Sequence, residues 1–398
     1  MTYPQRFSGL PEYAFPRLRR LLGDLEPGDS PIQMTIGDPR HAPPAFVAEE
    51  VARHADAFMS YPPNDGAPEL LSAISGWLDR RYGWAADPET DILALNGTRE
   101  GLYNAAMALC PETKNGARPV ILTPNPFYQV YAVAALAVEA DPVYIDATAA
   151  TGHLPDFAAL DPATLDRTAI AYICSPANPQ GATASMAWWS DLLALAERHD
   201  FLVFADECYS EIYTSAPPTG ILDAVRATGT DPNRVVAFHS LSKRSNLAGM
   251  RSGFAVSGAE NIARMKQLRN YAGAPLPVPL QMAAARAWGD EAHVEANRRL
   301  YAAKFDAARD ILGNAAEIPE AGFFLWLPVP KTIGDGVAAT IKLWTETGVK
   351  VLPGAYLARE TDGTNPGDPY IRAALVAPLD ETVTGLTRLA ACLYDKRS

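Results

Sequence analysis

The sequence contains few of the residues that bind metals or form disulfides. Only four cysteines and six histidines occur in 398 residues, and no two cysteines form a Cys-x-x-Cys pair. Structural zinc sites and disulfide frameworks require closely spaced clusters of such residues. We therefore expect no metal site. We interpret the cysteines as small reduced side chains of a protein in a reducing compartment.

Long apolar runs and an excess of positive charge are also missing. No run of about 18 consecutive apolar residues, the length of a membrane-spanning helix, is present. The first residues lack the apolar segment of a signal peptide. The chain has 34 basic and 46 acidic residues, a net charge of −12, whereas nucleic-acid binding favours a basic surface. We expect a soluble, cytoplasmic protein with no membrane or nucleic-acid partner.

Helical patterns alternate with short apolar runs along most of the chain, and two of the predicted helices are Pro68–Tyr82 and Met186–His199. The runs are rich in β-branched and aromatic residues and are bounded by Gly, Pro, Asn or Asp, which is typical of buried strands. This alternation predicts an α/β fold, a mostly parallel sheet flanked by helices. The predicted strands of this sheet are Val120–Thr123, Ala169–Cys174, Phe201–Ala205, Val235–His239 and Gly253–Val256.

The ends of the chain have a different character from its middle. Residues 1–45 are rich in proline and contain one helical stretch, so we predict an arm that packs with a small domain. Residues 46–285 form the predicted large domain. A long helical pattern from Leu280 to Leu312, followed by two strand patterns and another helix, predicts a smaller α+β domain over residues 286–398.

Polar side chains follow the predicted strands of the large domain. Asn178 comes after one strand, Asp206 and Tyr209 after the next, and Ser240 and Lys243 after a third. In open α/β sheets, ligands bind outside the carboxyl ends of the strands. A lysine among a carboxylate, an amide and hydroxyls is suited to a Schiff base with a phosphorylated aldehyde. Pyridoxal 5′-phosphate is the natural candidate, because its ring nitrogen needs an anionic partner and its phosphate needs a helix start.

These residues, in this order, resemble the signature of the fold type I aminotransferases of class I and II. The resemblance extends over nearly the whole chain. It includes further motifs around Gly37, Tyr61, Gly97-Thr98-Arg99, Arg251 and Arg372.

The resemblance implies a role for each matched residue. Lys243 is similar to the lysine that bonds the cofactor and moves the substrate α-proton. Asp206 resembles the partner of the ring nitrogen, and Arg372 the arginine that grips the substrate α-carboxylate. The other implied cofactor ligands are Asn178, Tyr209, Tyr128, Thr98, Arg99, Ser240, Ser242, Arg251 and Tyr61.

Some of the implied roles extend beyond binding of the cofactor. Gly37 and Asn178 are implied to contact substrate, and Tyr209 to assist catalysis. Tyr61 is similar to a tyrosine that reaches the phosphate of a neighbouring subunit, which implies a homodimer with shared sites.

Several stretches of the sequence resemble one subgroup of this family more than the family as a whole. Leu10–Leu18, Gly76–Tyr82, Asp206–Tyr213 and His239–Asn246 together resemble the proteobacterial N-succinyl-LL-diaminopimelate aminotransferases. The resemblance implies ping-pong transfer of an amino group between N-succinyl-LL-2,6-diaminopimelate and 2-oxoglutarate, in lysine and diaminopimelate biosynthesis. A substrate with carboxylates at both ends needs a further cation, for which Arg40, Arg244 and Arg269 are candidates. For any one of the three, a solvated or structural role is the simpler interpretation. One departure is Leu247-Ala248-Gly249, where the subgroup pattern has a proline before the glycine.

Other interpretations remain open from the sequence. Thr98 and Asp206 could be ordinary helix caps, Gly37 a turn residue, Tyr128 a packing aromatic and Arg372 a structural ion pair. The enzyme could act on aromatic, aliphatic or acylornithine substrates, or could be a pyridoxal-phosphate-dependent C–S lyase. A cofactor-sensing regulator is disfavoured, because residues 1–45 are too short for a DNA-binding domain and the charge is acidic.

Overall fold

A computed structural model describes residues 5–10 and 12–395 of the chain. The remaining residues, 1–4, 11 and 396–398, belong to the predicted arm and C-terminal domain and lie outside the described part. Within it the strands are β1 (Ile32–Gln33), β2 (Ile92–Leu95), β3 (Val120–Asn125), β4 (Asp141–Asp146), β5 (Thr168–Cys174), β6 (Leu202–Asp206), β7 (Val235–Ser240), β8 (Gly253–Ser257), β9 (Phe324–Pro328), β10 (Val349–Lys350), β11 (Leu352–Pro353) and β12 (Tyr370–Ala374).

The α-helices are interleaved with these strands. They are α1 (Ala14–Leu22), α2 (Phe46–Arg53), α3 (Pro68–Tyr82), α4 (Thr98–Leu109), α5 (Val130–Ala137), α6 (Pro162–Arg167), α7 (Met186–His199), α8 (Ile221–Thr228), α9 (Leu241–Arg244), α10 (Ala259–Arg269), α11 (Val278–Gly289), α12 (Ala292–Leu312), α13 (Gly336–Thr347) and α14 (Leu379–Leu393).

A seven-stranded sheet organises the middle of the chain. Its strand order is β2-β8-β7-β6-β5-β3-β4, and β8 runs antiparallel to both of its neighbours while the other pairs are parallel. Helices cover both faces, so strands such as β5 and β7 are buried along their whole length and consist mainly of apolar residues. The predicted α/β class with a mostly parallel sheet is confirmed.

A second, smaller core lies around the three-stranded antiparallel sheet β11-β12-β9. Leu325, Leu327 and Ile371 pack there against α12 and α14. The arm belongs to this side of the molecule, because Leu18 and Leu22 of α1 are buried with Trp344 and Tyr356, and β1 pairs with β10. We retain the division at residues 45 and 285 as a proposal.

The long helical pattern from Leu280 to Leu312 predicts one connecting helix, and that prediction is wrong. The structure breaks it at Asp290, whose backbone is extended (φ −109°, ψ 119°), so that α11 ends and α12 begins there. An aspartate carboxylate competes for nearby backbone N–H groups. Asp290 Oδ1 accepts a hydrogen bond from the backbone N–H of Ala292 at 2.9 Å, which favours a new helix start.

Candidate active site

The carboxyl ends of the parallel strands meet at one edge of the large sheet, as the sequence predicts. Asp206 ends β6, Ser240 ends β7, and Asn178 follows β5. A cavity of about 340 Å³ opens at this edge. Its lining includes twelve of the predicted site residues, namely Gly37, Thr98, Arg99, Tyr128, Asn178, Asp206, Tyr209, Ser240, Ser242, Lys243, Arg251 and Arg372.

Lys243 lies on the short helix α9 at the floor of this cavity. Ser240 caps the helix, since its hydroxyl oxygen accepts from the Ser242 backbone N–H at 3.1 Å. Lys243 Nζ donates to the carbonyl oxygen of Gly37. Burial lowers the pKa of Lys243 to about 8, and the positive charges of Arg372 and Arg251 act in the same direction. A lysine with this pKa is partly neutral near physiological pH, as an amine nucleophile or base must be.

Asp206 is the buried anion of the site. It is 4% exposed, and its Oδ2 accepts a hydrogen bond from the hydroxyl of Tyr131 at 2.8 Å. Burial raises the pKa of this carboxyl, although the hydrogen bonds from Cys208 and Tyr131 oppose the shift. The ionised form of a buried carboxyl is stabilised when a ligand places a positive charge next to it.

Tyr131 is a site residue that sequence reasoning missed. It lies on α5, its ring stacks on that of Tyr172 at 4.6 Å, and its side chain is fully buried. In the sequence it reads as one more packing aromatic among apolar neighbours. Its position one helical turn after Tyr128 is the only signal that could have placed it near the cavity.

A chain of hydrogen bonds runs along one wall of the cavity. Arg372 Nη1 donates to Asn178 Oδ1 at 3.0 Å, and Asn178 Nδ2 donates to the hydroxyl oxygen of Tyr209 at 3.3 Å. Arg372 Nη2 also donates to the carbonyl of Thr35 at 2.7 Å. Burial lowers the pKa of Arg372 to about 10. Its Nε atom is buried without a hydrogen-bond partner among the described residues.

The opposite wall of the cavity contains the start of a helix and a second guanidinium. Thr98 is the first residue of the twelve-residue helix α4. Gly97 precedes it with φ +79°, and a Cβ at this position would collide with the guanidinium of Arg251. Ser240 and Ser242 lie nearby in the lining. Helix N-termini, hydroxyls and guanidinium groups are the donors that bind phosphate.

The mouth of the cavity is formed by aromatic residues and a third guanidinium. Arg99 Nε donates to the hydroxyl oxygen of Tyr128 at 2.5 Å. Tyr13 and Phe15 of the arm line the same opening, a contact that the sequence analysis did not predict. No carboxylate of the described residues lies within 4.0 Å of Arg99, Arg251 or Arg372.

Four predicted residues lie elsewhere. Tyr61 is fully exposed and lies outside the cavity lining of this single chain. The candidate cations for a second carboxylate are already paired, which corrects that prediction. Arg40 contacts Glu381 at 2.7 Å, Arg244 contacts Glu291 at 2.6 Å behind the site, and Arg269 contacts Glu100.

The described part of the chain shows no group of three or more His, Cys, Asp or Glu side chains that could hold a metal ion. Within the same residues, no helix is long and apolar enough to cross a membrane.

Comparisons with known proteins agree with this geometry. Residues 29–375 match the family described as aminotransferase class I and II. An LL-diaminopimelate aminotransferase from Dehalococcoides mccartyi is 30% identical, with 98% of each chain covered. The 4-dedimethylamino-4-oxo-anhydrotetracycline transaminase OxyQ from Streptomyces rimosus is 30% identical over 91% of this chain and 93% of its own. The crystal structure of an aminotransferase from Neisseria meningitidis has a TM-score of 0.92 and 34% identity, covering 97% of this chain and 98% of that one.

Proposed function

From the premise that this chain belongs to the class I and II aminotransferases, we propose that the cavity around Lys243 carries out transamination. The cofactor of this family is pyridoxal 5′-phosphate. When bound, it supplies an aldehyde that takes up the amino group and a ring that withdraws electrons from the substrate α-carbon. The observation that carries the proposal is the set of groups in one cavity: an amine, a buried carboxyl and three guanidiniums. None of these guanidiniums is paired with a carboxylate of the described residues.

The donor set fits the cofactor at each of its polar positions. Asp206, whose pKa is raised by burial, would hold the ring nitrogen. Asn178 and Tyr209, already hydrogen-bonded to each other, would hold the ring oxygen. The phosphate would lie at the start of α4, where the donors are the first-turn N–H groups of Thr98 and Arg99 with Ser240, Ser242 and Arg251. Tyr128 lines the same cavity and would pack against the ring.

Lys243 is the residue that we assign to covalent attachment and to proton transfer. Its Nζ lies on the cavity floor against Gly37, which we assign to substrate contact. A pKa lowered to about 8 by burial lets the freed amine accept the α-proton near neutral pH and return it to the cofactor side.

Arg372 would bind the substrate α-carboxylate. Its side chain is held by Asn178 and Thr35, so its orientation is fixed before a ligand arrives. Guanidinium and carboxylate groups form paired, charge-assisted hydrogen bonds.

We assign the diaminopimelate class of substrate, with N-succinyl-LL-2,6-diaminopimelate as amino donor and 2-oxoglutarate as acceptor, in lysine and diaminopimelate biosynthesis. Both compounds carry a second carboxylate far from the reacting carbon. Arg99, unpaired with any carboxylate among the described residues and lining the mouth, is the cation that we assign to it. Free LL-diaminopimelate is the second candidate, because the Dehalococcoides relative carries that substrate in its name.

The test is a half-reaction. Purified, cofactor-loaded enzyme is mixed with N-succinyl-LL-diaminopimelate, LL-diaminopimelate, glutamate or alanine, with no keto acid, and the absorption band of the cofactor is followed. We expect rapid conversion with N-succinyl-LL-diaminopimelate and glutamate, reversed by 2-oxoglutarate. Conversion by LL-diaminopimelate but not by its succinyl derivative would favour the second candidate. No conversion by any amine would contradict the function, and release of pyruvate and ammonia from a cysteine conjugate would identify a C–S lyase.

We further propose a homodimer with shared sites, working in the cytoplasm, where the four free cysteines stay reduced. Tyr61 lies on an exposed apolar segment with Phe58 and Met59. Exposed apolar patches of this kind are typical of protein interfaces. We expect sedimentation equilibrium to give twice the mass of the chain, and Tyr61→Phe to weaken cofactor binding while leaving that mass unchanged. A monomer that binds the cofactor normally would contradict this proposal.

A further inference from the structure

Arg244, the residue after Lys243, is hydrogen-bonded to both sides of the break between α11 and α12. Arg244 is 2% exposed. Its Nη1 donates to the carbonyl oxygen of Ala287 at 2.7 Å, and its Nη2 donates to Glu291 Oε1 at 2.6 Å. Ala287 lies in the last turn of α11, and Glu291 stands immediately before α12. One side chain therefore joins the helix that carries Lys243 to both sides of the break.

Ser245 makes a second connection to the same place. Its hydroxyl is 2.8 Å from His293 Nε2, and His293 Nδ1 is 2.9 Å from Asp290 Oδ2. This row has the order of a hydrolytic Ser-His-Asp triad. Ser245 is fully buried, however, so no substrate reaches its hydroxyl. These three side chains instead connect the end of α9 to the break between α11 and α12.

Asn297, one helical turn after His293 on α12, makes the third connection. Its Nδ2 donates to the carbonyl oxygens of Lys243 at 3.5 Å and of Arg244 at 3.4 Å. These carbonyls belong to the last turn of α9 and have no partner within so short a helix. The backbone of Lys243 is thus bonded directly to the helix that leads to the smaller sheet.

Arg244 is one of three arginines among the described residues that are less than 5% exposed, together with Arg269 and Arg372. Its guanidinium lies 4.9 Å from the ring centre of Trp288 and 5.8 Å from that of Trp77, and burial lowers its pKa. A buried charge is costly unless it is paired. Glu291 supplies the pair while remaining 38% exposed itself. Arg244 does not line the cavity, so it contacts neither cofactor nor substrate there.

We propose that Arg244 is the positioning residue of Lys243: by joining α9 to the start of α12, it holds Lys243 Nζ at the place from which the α-proton is transferred. This inference rests on the proposed function, because it needs Lys243 as the group that moves the proton. A displacement of about 1 Å in a reacting group can cost about 100-fold in rate. The break at Asp290 is where the large sheet connects to the smaller one, so Arg244 fixes Lys243 relative to both.

The test is the single-turnover half-reaction of Arg244→Met with glutamate, with rates expressed per bound cofactor. Met can fill part of the space beside the two tryptophans. We expect the maximal rate to fall about 10- to 100-fold with the apparent glutamate affinity changed less than about 3-fold. With α-deuterated glutamate, the isotope effect should be larger than in the wild type, because proton transfer becomes slower than the other steps.

Two further variants keep the proposal falsifiable if Arg244→Met folds poorly. Glu291→Gln changes a partly exposed side chain and removes only the charge of the pair. We expect a rate loss of about 3- to 10-fold for it, and no additional loss when it is combined with Arg244→Met. Arg309→Met is the matched control, because Arg309 lies farther along α12 and pairs with Asp306 and Glu320. It should react at the wild-type rate.

The outcomes separate this inference from the proposed function. A wild-type enzyme that converts with none of the four amines refutes transamination itself. A wild-type enzyme that converts, with Arg244→Met and Glu291→Gln equally fast per bound cofactor and with unchanged isotope effects, overturns the positioning role alone. Additive losses in the double variant would also overturn it, because the two residues would then act independently.

Discussion

The arginines on the two sides of helix α9 differ in whether they are paired with carboxylates. On the cavity side, Arg99, Arg251 and Arg372 have no carboxylate of the described residues within salt-bridge distance. On the rear side, Arg244 pairs with Glu291 at 2.6 Å and Arg81 with Glu211 at 2.9 Å. Unpaired guanidiniums in a cleft are suited to ligand anions, whereas paired, buried ones hold the protein together. The pairing of a charge, more than its type, therefore indicates its role.

The largest effect that this comparison predicts is on the cavity side, at Lys243. We expect Lys243→Ala to slow the half-reaction with glutamate by about 10⁴-fold or more, because both the attachment point and the base are lost. The measurement is the absorption change of the cofactor. Lys342→Ala, which removes an exposed lysine paired with Glu346, is the control and should keep wild-type activity. Transamination by Lys243→Ala at the wild-type rate would contradict the assignment.

The next effect concerns the α-carboxylate. Arg372→Ala should raise the KM for glutamate and for alanine alike by about 100-fold, because every amino acid substrate loses the same charge-assisted hydrogen bonds. Steady-state kinetics with the two donors measures this. Arg388→Ala, at a surface pair with Asp29, is the matched control. A KM that rises for only one of the donors would place Arg372 at the side chain of the substrate instead.

The third prediction separates the two ends of the substrate. Arg99→Met should lower kcat/KM for dicarboxylic donors by about 30-fold and leave that for alanine unchanged, since only the former place a second carboxylate at the mouth. Arg99→Lys should recover part of the loss, because it retains the charge without the paired geometry. Equal losses for all donors would show that the side chain supports the cofactor and not the substrate.

The smallest effect on turnover is expected on the rear side, at Glu207. This carboxyl accepts from the Tyr82 hydroxyl at 2.8 Å and the Ile221 backbone N–H at 2.6 Å, and burial raises its pKa to about 7. In the unfolded chain the carboxyl ionises near pH 4.3. Between these two values the folded state holds the extra proton, so stability falls as pH rises through this window.

Glu207→Gln should remove the part of the pH dependence of folding stability that comes from this carboxyl. We expect its thermal midpoint to fall less than that of the wild type between pH 5 and pH 8, by an amount equivalent to about 2 kcal/mol. Activity per bound cofactor should change less than about 2-fold. Thermal unfolding at the two pH values measures this. A large loss of activity with unchanged pH dependence would place Glu207 among the cavity residues and break the comparison.

The sequence was most informative where a residue type follows a strand end. Asn178, Asp206, Ser240 and Lys243 could be grouped because parallel strands end at one edge. The helices Pro68–Tyr82 and Met186–His199 were predicted with their observed bounds, since clear turn signals flank both. The roles of Asn178, Asp206, Ser240 and Lys243 toward cofactor and substrate stay predictions.

The sequence was least informative where a role depends on a partner far along the chain. Arg244 and Arg269 were candidates for substrate binding because their partners, Glu291 and Glu100, cannot be identified from sequence. Tyr131 was missed because a hydrogen bond to Asp206 leaves no mark on the helical pattern. The break at Asp290 was hidden because the apolar periodicity of the two helices continues across it.

The most direct test of the account is to identify the lysine that carries the cofactor. Cofactor-loaded enzyme is reduced with borohydride, which makes the bond between lysine and cofactor permanent, and is then digested and analysed by mass spectrometry. The account predicts one modified peptide, with the added mass on Lys243. Modification of any other lysine with none on Lys243 would contradict the assignment of the cavity as the site of transamination.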